Sequence, residues 1–406
     1  MPWSRRSFLS ASASALTTGA AISALTDPVR ATGAFASSPT TPFEPWLELD
    51  AAAVASNARE VARLAGGRPV LAVVKNNGYG LGVGLLGRIL RDVDEVAGAA
   101  VVTPGAAHEL VDAGLDKPVL LMARVDDGDG EELVRRGVRL ATTDERAGEQ
   151  IARIAGRVGS RVRVHAYLDT GMSRLGVPFR SASAFLSELA SSGHATVEGV
   201  FMGFAEDDDF DAVQLRRFRE VTEVAKRSGA ALGLQHAASS HGLFFRPEAH
   251  LDLVRPGLAI FGAYPAGARD ANSASLVPAF RMKARVARVS RLSEGDGVSY
   301  GREYVATQPT WVATLPVGHA DGYPRRAVDG CEVLIGPRTY PVIGAVSASH
   351  TIVEIGPTRA VDVGDEAVLV GPDHPAIHPN EISERAGISV YDVLMHLSAR
   401  LPRVVT

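Results

Sequence analysis

Short apolar runs alternate with amphipathic stretches along the first two thirds of the chain. Continuous apolar runs are typical of buried parallel strands, which are covered on both faces. Strands are predicted at residues 69–75, 97–103, 118–122, 138–142, 162–168, 197–203, 230–236 and 258–262. Between them, apolar residues recur every three or four positions, which indicates helices, as in GAAHELVDAGL, DERAGEQIARIAG and AVQLRRFREVTEVAKRSG.

Eight strand–helix units within about 200 residues predict an N-terminal (β/α)8 barrel, over residues 44–265. A doubly wound open sheet would give the same local pattern, so periodicity alone leaves both open. After Tyr264 the chain becomes rich in Gly, Ala, Ser and Pro, and alternating strand patterns follow from Arg281. We therefore expect a second, mostly β domain over residues 280–406, with one late helix near 381–398.

The first 36 residues are typical of a twin-arginine export signal. SRRSFLS at 4–10 contains paired arginines, an uncharged segment extends to about Leu25, and AFA at 34–36 has the form of a cleavage site. The apolar segment is too short and too rich in Ser and Thr for a membrane span. A disordered arginine-containing start is the alternative. We expect a periplasmic or extracellular protein that begins at Ser37 and has no membrane attachment after signal removal.

Composition narrows the classes of function. The chain is 46% hydrophobic and 22% charged, with a formal net charge of -4, and no basic block predicts nucleic-acid binding. Cys331 is the only cysteine, which excludes an intramolecular disulfide and the four-cysteine zinc patterns. The acidic stretch EDDDFD at 206–211 has no hard-cation spacing and indicates a solvated turn. We expect no metal site and a small-molecule substrate.

Lys75 is the candidate for covalent chemistry. It closes the apolar run in LAVVKNNGYGLG at 71–82, and it is one of only four lysines among 42 basic residues. Barrel enzymes carry their chemistry where strands end, and apolar walls lower the pKa of a lysine and favour its attack on carbonyl carbons. An ion pair with a carboxylate on a neighbouring strand is the alternative.

A glycine pattern nearby does not predict a nicotinamide site. GVGLLG at 82–87 has the G-x-G-x-x-G form of dinucleotide-binding loops. In those loops the first glycine follows the strand directly, and an acidic residue ends the second strand. Here the glycines begin seven residues after Lys75, and the second strand ends in VVTPG.

AVVKNNGYGLG at 72–82 resembles the cofactor-lysine motif of alanine racemases, AVVKANAYGHG. Similar motifs follow in the family's order: LDTGMSRLGV at 168–177, LVRPGLAIFG at 253–262, GVSYGREY at 297–304 and LPVGHADGYPRR at 315–326. The resemblance covers roughly residues 44–403. It implies a pyridoxal 5′-phosphate-dependent amino-acid racemase with an N-terminal barrel, a C-terminal β domain and active sites shared between two subunits of a homodimer.

The resemblance also implies two catalytic bases. Racemisation removes a proton from one face of Cα and returns one to the other, and the resemblance assigns these faces to Lys75, which also holds the cofactor, and Tyr300. Arg255 matches the arginine that faces the pyridine nitrogen, and Arg174 matches the residue that supports Tyr300 and the substrate carboxylate. The alternatives are a packing aromatic at Tyr300, a structural ion pair at Arg255 and a surface arginine at Arg174.

Phosphate contacts are implied in the same way. The matching positions are the side chains of Tyr79 and Ser239 and the backbone amides of Gly257 and Leu258.

The substrate shell departs from the family pattern. Tyr167 stands where the family often has a carbamylated lysine, and Gly203 stands at a stacking histidine. Ala348, at a substrate-binding position, lies in SAS where the family has CMD. His319 and Ala399 each replace a tyrosine that confines the side-chain pocket. We therefore expect an amino-acid racemase that accepts side chains larger than that of alanine.

Two other functions stay open at this point. A non-catalytic pyridoxal-phosphate carrier uses the same barrel, but such proteins typically lack the C-terminal β domain that carries Tyr300 here. A decarboxylase relative would use the same lysine with a C-terminal catalytic cysteine motif. That motif is not evident, although Cys331 is present.

Overall fold

The structure, a computed structural model, describes residues 42–271 and 274–406. The predicted export signal at 1–36 and its cleavage site lie outside the described residues. Within the described ranges, no helix is both long and apolar enough to cross a membrane. Most of both predicted domains falls within these ranges.

The first described strand, β1 (Trp46–Leu49), does not belong to the barrel. It pairs antiparallel with residues 280–283 and parallel with residues 403–405, all from the C-terminal part of the chain. The barrel domain predicted over 44–265 therefore starts too early. Periodicity does not predict a strand at residues 46–49, and the sheet that this strand joins is set by partners distant in sequence.

The next strands form a parallel barrel in which chain neighbours are hydrogen-bonded to each other. They are β2 (Val70–Val73), β3 (Val96–Val101), β4 (Val119–Leu121), β5 (Arg139–Thr142), β6 (Val162–Asp169), β7 (Val177–Pro178), β8 (Ala195–Phe201) and β9 (Leu234–His236). Of these, β7 only extends the end of β6. Leu71, Ala100, Leu120 and Tyr167 belong to one buried cluster, so the barrel encloses a packed core.

The sheet closes at Val254, which pairs in parallel with Val70. The Leu71 amide donates to the Val254 carbonyl, and the Val73 amide donates to the Pro256 carbonyl, both at 2.9 Å. This closure excludes the open doubly wound sheet. The strand predicted at 258–262 is wrong, because residues Leu258–Phe261 form a 3-10 helix. Proline has no amide hydrogen to donate to a ladder, so pairing ends at Pro256.

Helices cover the outside of the barrel and connect its strands. They are α1 (Ala51–Leu64), a short turn α2 (Lys75–Tyr79), α3 (Val83–Arg91), α4 (Pro104–Asp112), α5 (Asp127–Arg135), α6 (Ala147–Val158), α7 (Phe179–Ser191), α8 (Asp208–Arg227), α9 (Ser240–Phe245) and α10 (Ala268–Ala271). Helix α8 shows why the sequence folds this way. The Asp207 side chain caps its first turn by accepting a hydrogen bond from the Phe210 amide at 2.9 Å. Leu215 and Phe218 lie on its buried apolar face.

The C-terminal part forms a nine-stranded sheet. The strands after the barrel are β10 (Phe280–Arg285), β11 (Arg288–Leu292), β12 (Gly297–Val298), β13 (Tyr304–Val305), β14 (Thr310–Leu315), β15 (Glu332–Ile335), β16 (Arg338–Ile343), β17 (Thr351–Gly356), β18 (Glu366–Val370) and β19 (Arg403–Val405). The sheet order is β11-β14-β17-β16-β15-β18-β10-β1-β19, and β12 and β13 form a separate hairpin. This arrangement confirms the prediction of a mostly β second domain.

The late helix predicted near 381–398 is two shorter helices, α11 (Pro379–Ala386) and α12 (Val390–Met395). Gly387 ends α11 in the left-handed conformation that glycine favours. Ser389 then caps α12 by accepting a hydrogen bond from the Tyr391 amide at 3.3 Å. The two helices pack against each other and bring α12 against the turn α2.

Candidate active site

Lys75 begins a left-handed turn at the carboxyl end of β2. The next four residues all have positive φ: Asn76 at 52°, Asn77 at 54°, Gly78 at 62° and Tyr79 at 55°. Asn and Gly tolerate this conformation, but a bulky aromatic residue rarely adopts it. Such strain persists where the surrounding structure fixes the residue, and it is common at functional sites.

Lys75 differs from the other three lysines in having no direct partner among the residues that the structure describes. Lys117 donates to two backbone carbonyls at 2.9 and 2.6 Å. Lys226 pairs with Glu223 at 3.2 Å, and Lys283 is paired with two glutamates. Among the described residues, no hydrogen bond or ion pair engages the Lys75 amine. The chain therefore leaves one half-buried lysine available for covalent chemistry.

The surroundings of Lys75 lower its pKa. Burial is the largest cause, because it disfavours the charged ammonium, and the positive charge of Arg174 adds to it. The carboxylate of Glu206 acts in the opposite direction but does not cancel them. A lowered pKa increases the fraction of neutral amine, which is the nucleophilic and basic form.

Tyr79 and Gly257 make an unusually close approach beside Lys75. Tyr79 is buried, and its ring packs on that of Phe261 at 4.9 Å between centroids. A Cβ on residue 257 would overlap the Tyr79 hydroxyl, so only glycine fits there. The Ser240 hydroxyl lies at the same place, where it accepts hydrogen bonds from the Gly257 and Ala259 amides at 3.2 Å each.

Ser239 and Ser240 have different roles in the structure. The predicted phosphate contact, Ser239, caps α9 by accepting a hydrogen bond from the Gly242 amide at 3.4 Å. Ser240 is buried, and its hydroxyl accepts the hydrogen bond of the Gly257 amide, which is itself one of the predicted phosphate contacts. Ser239 is only half-buried, and its assignment as a phosphate contact stays a prediction. Leu258, also predicted here, is fully buried at the start of the 3-10 helix.

Arg255, two residues before Gly257, belongs to a buried hydrogen-bond network. Its guanidinium hydrogen-bonds His236 Nδ1 at 2.9 Å and donates to the Met202 carbonyl at 2.7 Å. His236 Nε2 then contacts His165 Nδ1 at 2.8 Å. Because arginine only donates, this order assigns the proton of His236 to Nε2 and makes His165 Nδ1 the acceptor.

The charges in this network follow from burial. Burial lowers the pKa of Arg255 to about 10, so the guanidinium stays protonated at neutral pH. Burial lowers the pKa of His165 to about 4 and that of His236 well below its usual range, so both imidazoles are neutral. Arg255 is therefore a fixed cation that donates hydrogen bonds.

Aromatic rings form the floor next to Arg255. Tyr167 stacks on Phe201 at 4.5 Å, and Phe201 stacks on His236 at 5.1 Å. The Arg255 guanidinium lies 5.0 Å from the centre of the Phe201 ring. A Cβ on Gly203 would meet the Tyr167 hydroxyl at 3.4 Å, an ordinary contact distance. The absent side chain at Gly203 thus leaves space beside Tyr167.

The loop that carries Arg174 is shaped by one carboxylate. Asp169 Oδ1 accepts hydrogen bonds from the Gly171 and Ser173 amides at 2.9 and 3.0 Å. Ser173 has a positive φ of 56°, and the exposed Arg174 follows it. Arg174 has no hydrogen bond or ion pair with the described residues, yet its charge acts on Lys75. It is available to bind an anion.

Ala399 lies on the Lys75 side of the molecule. Arg403 donates to the Ala399 carbonyl at 3.2 Å and to the Gly80 carbonyl at 3.2 Å. Gly80 directly follows Tyr79, so the C-terminal segment is fixed against the turn α2. The small side chain of Ala399 is exposed at this junction.

The remaining predicted residues form a second cluster, all within the β domain. The Ser299 hydroxyl donates to the Ala345 carbonyl at 3.1 Å, and the His319 amide donates to the Ser347 carbonyl at 3.0 Å. The Ala320 amide donates to the Ala348 carbonyl at 3.0 Å. These bonds bring together the loops of Tyr300, His319 and Ala348.

Tyr300 stands out in this cluster because it is 77% exposed. In the described part of this chain, no hydrogen bond, ion pair or ring contact connects it with Lys75. The structure therefore divides the predicted site residues into two groups. One surrounds Lys75, and the other presents Tyr300 to the outside.

The Lys75 group fits pyridoxal 5′-phosphate. The cradle of Tyr79, Gly257 and Ser240 offers hydroxyl groups and a close backbone approach, as phosphate binding requires. An unpaired lysine suits the aldehyde, and Arg255 can donate to the pyridine nitrogen. No three His, Cys, Asp or Glu side chains in residues 42–271 and 274–406 are grouped to hold a metal ion.

Comparison with known proteins agrees with this geometry. Residues 49–265 match the family described as alanine racemase, N-terminal domain, and residues 279–405 match alanine racemase, C-terminal domain. The chain is 36% identical to the alanine racemase of Symbiobacterium thermophilum over 364 residues, covering 88% of this chain and 96% of the relative. It is 33% identical to that of Desulforamulus reducens, covering 88% and 98%.

Solved structures give the same result. The alanine racemase from the D-cycloserine-producing Streptomyces lavendulae superposes with a TM-score of 0.83 at 28% identity, over 90% of this chain and 98% of that one. The alanine racemase of Streptomyces coelicolor superposes with a TM-score of 0.82 at 29% identity, over 89% and 98%. The similarity thus extends over both domains and nearly the whole length of these proteins.

Proposed function

The chain belongs to the alanine racemase family, and from this premise we propose that it interconverts the L and D forms of amino acids larger than alanine. It is an amino-acid racemase, an isomerase that depends on pyridoxal 5′-phosphate. Because both domains match this family, the carrier and decarboxylase alternatives lose their basis. The observation that carries the proposal is the unpaired Lys75 beside the cradle of Tyr79, Gly257 and Ser240.

The residues would divide the work between binding and proton transfer. When bound, pyridoxal phosphate withdraws electrons from Cα and so makes its proton acidic. Lys75 would hold the cofactor, and its Nζ would carry the proton on one face of Cα. Its lowered pKa increases the fraction of neutral amine that can accept a proton. We assign the phenol oxygen of Tyr300 to the opposite face, which makes the mechanism a two-base one.

Arg255 has an electrostatic role in this scheme. It is held by His236 and the Met202 carbonyl, so its position is fixed before the cofactor binds. A guanidinium with a pKa of about 10 donates a hydrogen bond to the pyridine nitrogen without transferring its proton. By keeping its proton, Arg255 would favour return of the proton to Cα over transamination.

The wider substrate range is supported by three small or changed side chains around the site. Gly203 leaves space beside Tyr167, and Ala399 presents only a methyl group next to the turn α2. In the resembling family, tyrosines occupy the positions of Ala399 and His319. An apolar pocket that gains volume accepts more substrates, but it discriminates by only about 1–3 kcal/mol per methylene.

We further propose that the enzyme is a homodimer with shared sites. Tyr300 is 77% exposed and belongs to a cluster apart from Lys75. A second copy of the chain would bring its Tyr300 cluster against the Lys75 group of the first. Each dimer would then contain two complete sites.

Export by the twin-arginine pathway completes the proposal. Its support is the sequence alone: the paired arginines of SRRSFLS at 4–10 and AFA at 34–36. A racemase outside the cytoplasm would act on amino acids released there.

Chiral chromatography tests the activity directly. Pure protein loaded with cofactor is incubated with each L-amino acid, and the D product is measured. We expect D products from amino acids larger than alanine, and none from the Lys75→Ala variant. Product from alanine alone would refute the wider range, and no product from any amino acid would refute turnover.

A further inference from the structure

Glu206 lies on the loop between β8 and α8 in an unusual backbone conformation. Its φ is +62°, a value that non-glycine residues rarely adopt. Its amide donates to Asp211 Oδ1 at 3.1 Å, and the Asp207 amide donates to the same oxygen at 3.3 Å. The side chain itself is exposed. The loop thus holds an exposed carboxylate in a strained position.

A buried ionic group below the loop fixes this position. Asp211 is fully buried, and its Oδ2 lies 3.4 Å from His241 Nε2 and 3.5 Å from Arg246 Nε. Gln214 adds a further support, because its side-chain oxygen accepts a hydrogen bond from the Ala205 amide at 2.8 Å. Strained residues persist only where their surroundings determine them to this extent.

Glu206 follows the carboxyl end of β8, and Lys75 follows the carboxyl end of β2, so both residues lie at the same end of the parallel barrel. Among residues 42–271 and 274–406, no side chain forms a hydrogen bond or an ion pair with the Glu206 carboxylate. Its charge nevertheless reaches Lys75, Tyr79 and Tyr391, which belong to both domains. It opposes the lowering of the pKa of Lys75 that burial and Arg174 cause, and it adds to the burial that raises the pKa of Tyr391 to about 12.

The same loop carries a glycine at the position where the resembling family has a stacking histidine. Gly203 lies three residues before Glu206, and a Cβ on it would meet the Tyr167 hydroxyl at 3.4 Å and Met172 Sδ at 3.7 Å. Arg174, the free cation near Lys75, can pair with the α-carboxylate of an amino acid. A substrate held there would meet the positive charge of Arg174 and the negative charge of Glu206.

We propose that Glu206 selects amino acids with a cationic side chain, such as lysine, ornithine and arginine, by pairing with the distal ammonium or guanidinium. The inference rests on the racemase activity proposed above and names its substrate class. Glu206 is a specificity-determining residue that binds substrate without moving a proton. Acidic side chains would be rejected by the same charge.

The test compares lysine with norleucine, which has the same carbon chain without the ammonium group. We measure kcat/KM for racemisation of both by holoenzyme, first in the wild type and then in Glu206→Gln. The ratio of lysine to norleucine should fall by about threefold to tenfold, since an exposed or half-buried charge pair contributes on the order of 1 kcal/mol. The kcat/KM for norleucine should change little.

Two further variants make the result specific. Glu206→Asn also removes the charge, and asparagine tolerates positive φ, so it should lower the ratio even if glutamine disturbs the loop. Asp209→Asn removes an exposed acid from the adjacent first turn of α8 and should leave the ratio unchanged.

The outcomes separate the two proposals. A wild type active on neutral amino acids, with a ratio unchanged in both Glu206 variants, would overturn the role of Glu206 and leave the racemase proposal intact. An equal fall for lysine and norleucine would also overturn it, because Glu206 would then act only through Lys75. A wild type without activity on any amino acid would overturn both.

Discussion

The Tyr79 hydroxyl occupies the space that a side chain on residue 257 would need. Tyr79 is held there by its left-handed backbone and by packing on Phe261, and Gly257 is held by Ser240. Two segments that are distant in sequence thus form one surface at the end of β2. The geometry explains why glycine follows Arg-Pro at this point, where any larger residue would displace the tyrosine.

Gly257→Ala should weaken cofactor binding by moving Tyr79 out of the cradle. Overpacking costs about 1–3 kcal/mol, which corresponds to a rise in Kd of about fivefold to 150-fold if the cost falls on the bound state. Titration of apoprotein with pyridoxal phosphate, followed by absorbance, measures the change. Gly156→Ala is the control, because a Cβ on Gly156 in α6 meets nothing within 4 Å. Unchanged affinity in Gly257→Ala would contradict the cradle.

Cofactor attachment at Lys75 can be tested against the other three lysines. Purified holoenzyme should be yellow, and borohydride reduction should remove the band and fix the cofactor to Lys75. Peptide mapping locates the label. Lys75→Ala should lose the covalent link, whereas Lys226→Ala, which removes a lysine ion-paired on the surface, should keep it. Label on Lys117, Lys226 or Lys283 would refute the assignment of the site.

Periodicity predicted most of the barrel strands to within a few residues, because buried parallel strands give continuous apolar runs. It failed at the closing strand, where the pairing of Val254 with Val70 replaces the predicted run at 258–262. That run is equally apolar, but it is buried as a 3-10 helix after Pro256. Periodicity also did not predict β1, which pairs with strands of the C-terminal part. Local pattern carries no information on which distant segment a strand contacts.

The site shows the same limit at the level of single residues. The motif around Lys75 was sufficient to predict the cofactor lysine, since its glycines and asparagines match the left-handed turn. The hydrogen bond from the Gly257 amide to the Ser240 hydroxyl depends on how two distant segments pack, and sequence cannot specify this. Glu206 had no signal beyond its acidic neighbours. Its importance depends on the buried Asp211 below it.

The buried histidine pair predicts a pH-dependent stability. Burial lowers the pKa of His165 to about 4 from an ordinary 6.5, and burial and Arg255 lower the pKa of His236 well below its usual range. The unfolded chain therefore binds more protons than the folded protein as the pH falls. The stabilisation is complete above pH 6.5 and is lost between pH 6.5 and pH 4, at about 1.4 kcal/mol per pH unit for His165.

Denaturant unfolding at a series of pH values measures this effect. In His165→Asn the free energy of unfolding should fall less steeply between pH 6.5 and pH 4.5 than in the wild type. His194→Asn, which changes an exposed histidine, should follow the wild-type slope. Parallel slopes in all three proteins would show that His165 is not kept neutral by the fold.

Complementation tests whether Tyr300 acts across subunits. Lys75→Ala and Tyr300→Phe should each be inactive or nearly so, because each lacks one base. After the two are mixed, dissociated and re-formed, heterodimers should regain partial activity, since one of their two sites has both residues. Re-forming either variant alone is the control and should restore nothing. A fully active monomer in sedimentation would refute the shared site.

The substrate range should respond to Ala399. Arg403 donates to the carbonyls of both Ala399 and Gly80, which follows Tyr79, and the resembling family has a pocket-confining tyrosine at position 399. Ala399→Tyr should therefore narrow the range toward alanine and tighten cofactor binding. The preference for alanine over larger amino acids should rise by about tenfold to two hundredfold, the effect of one methylene in an apolar pocket.

Deuterium exchange at Cα in heavy water measures this range without dependence on product release. The wild type should exchange larger amino acids at least as well as alanine, and Ala399→Tyr should lose the larger ones first. Ala52→Tyr, on the exposed face of α1, is the control and should match the wild type. Strict alanine preference in the wild type would refute the enlarged pocket. An unchanged range in Ala399→Tyr would show instead that the space lies elsewhere, with Gly203 as the remaining source.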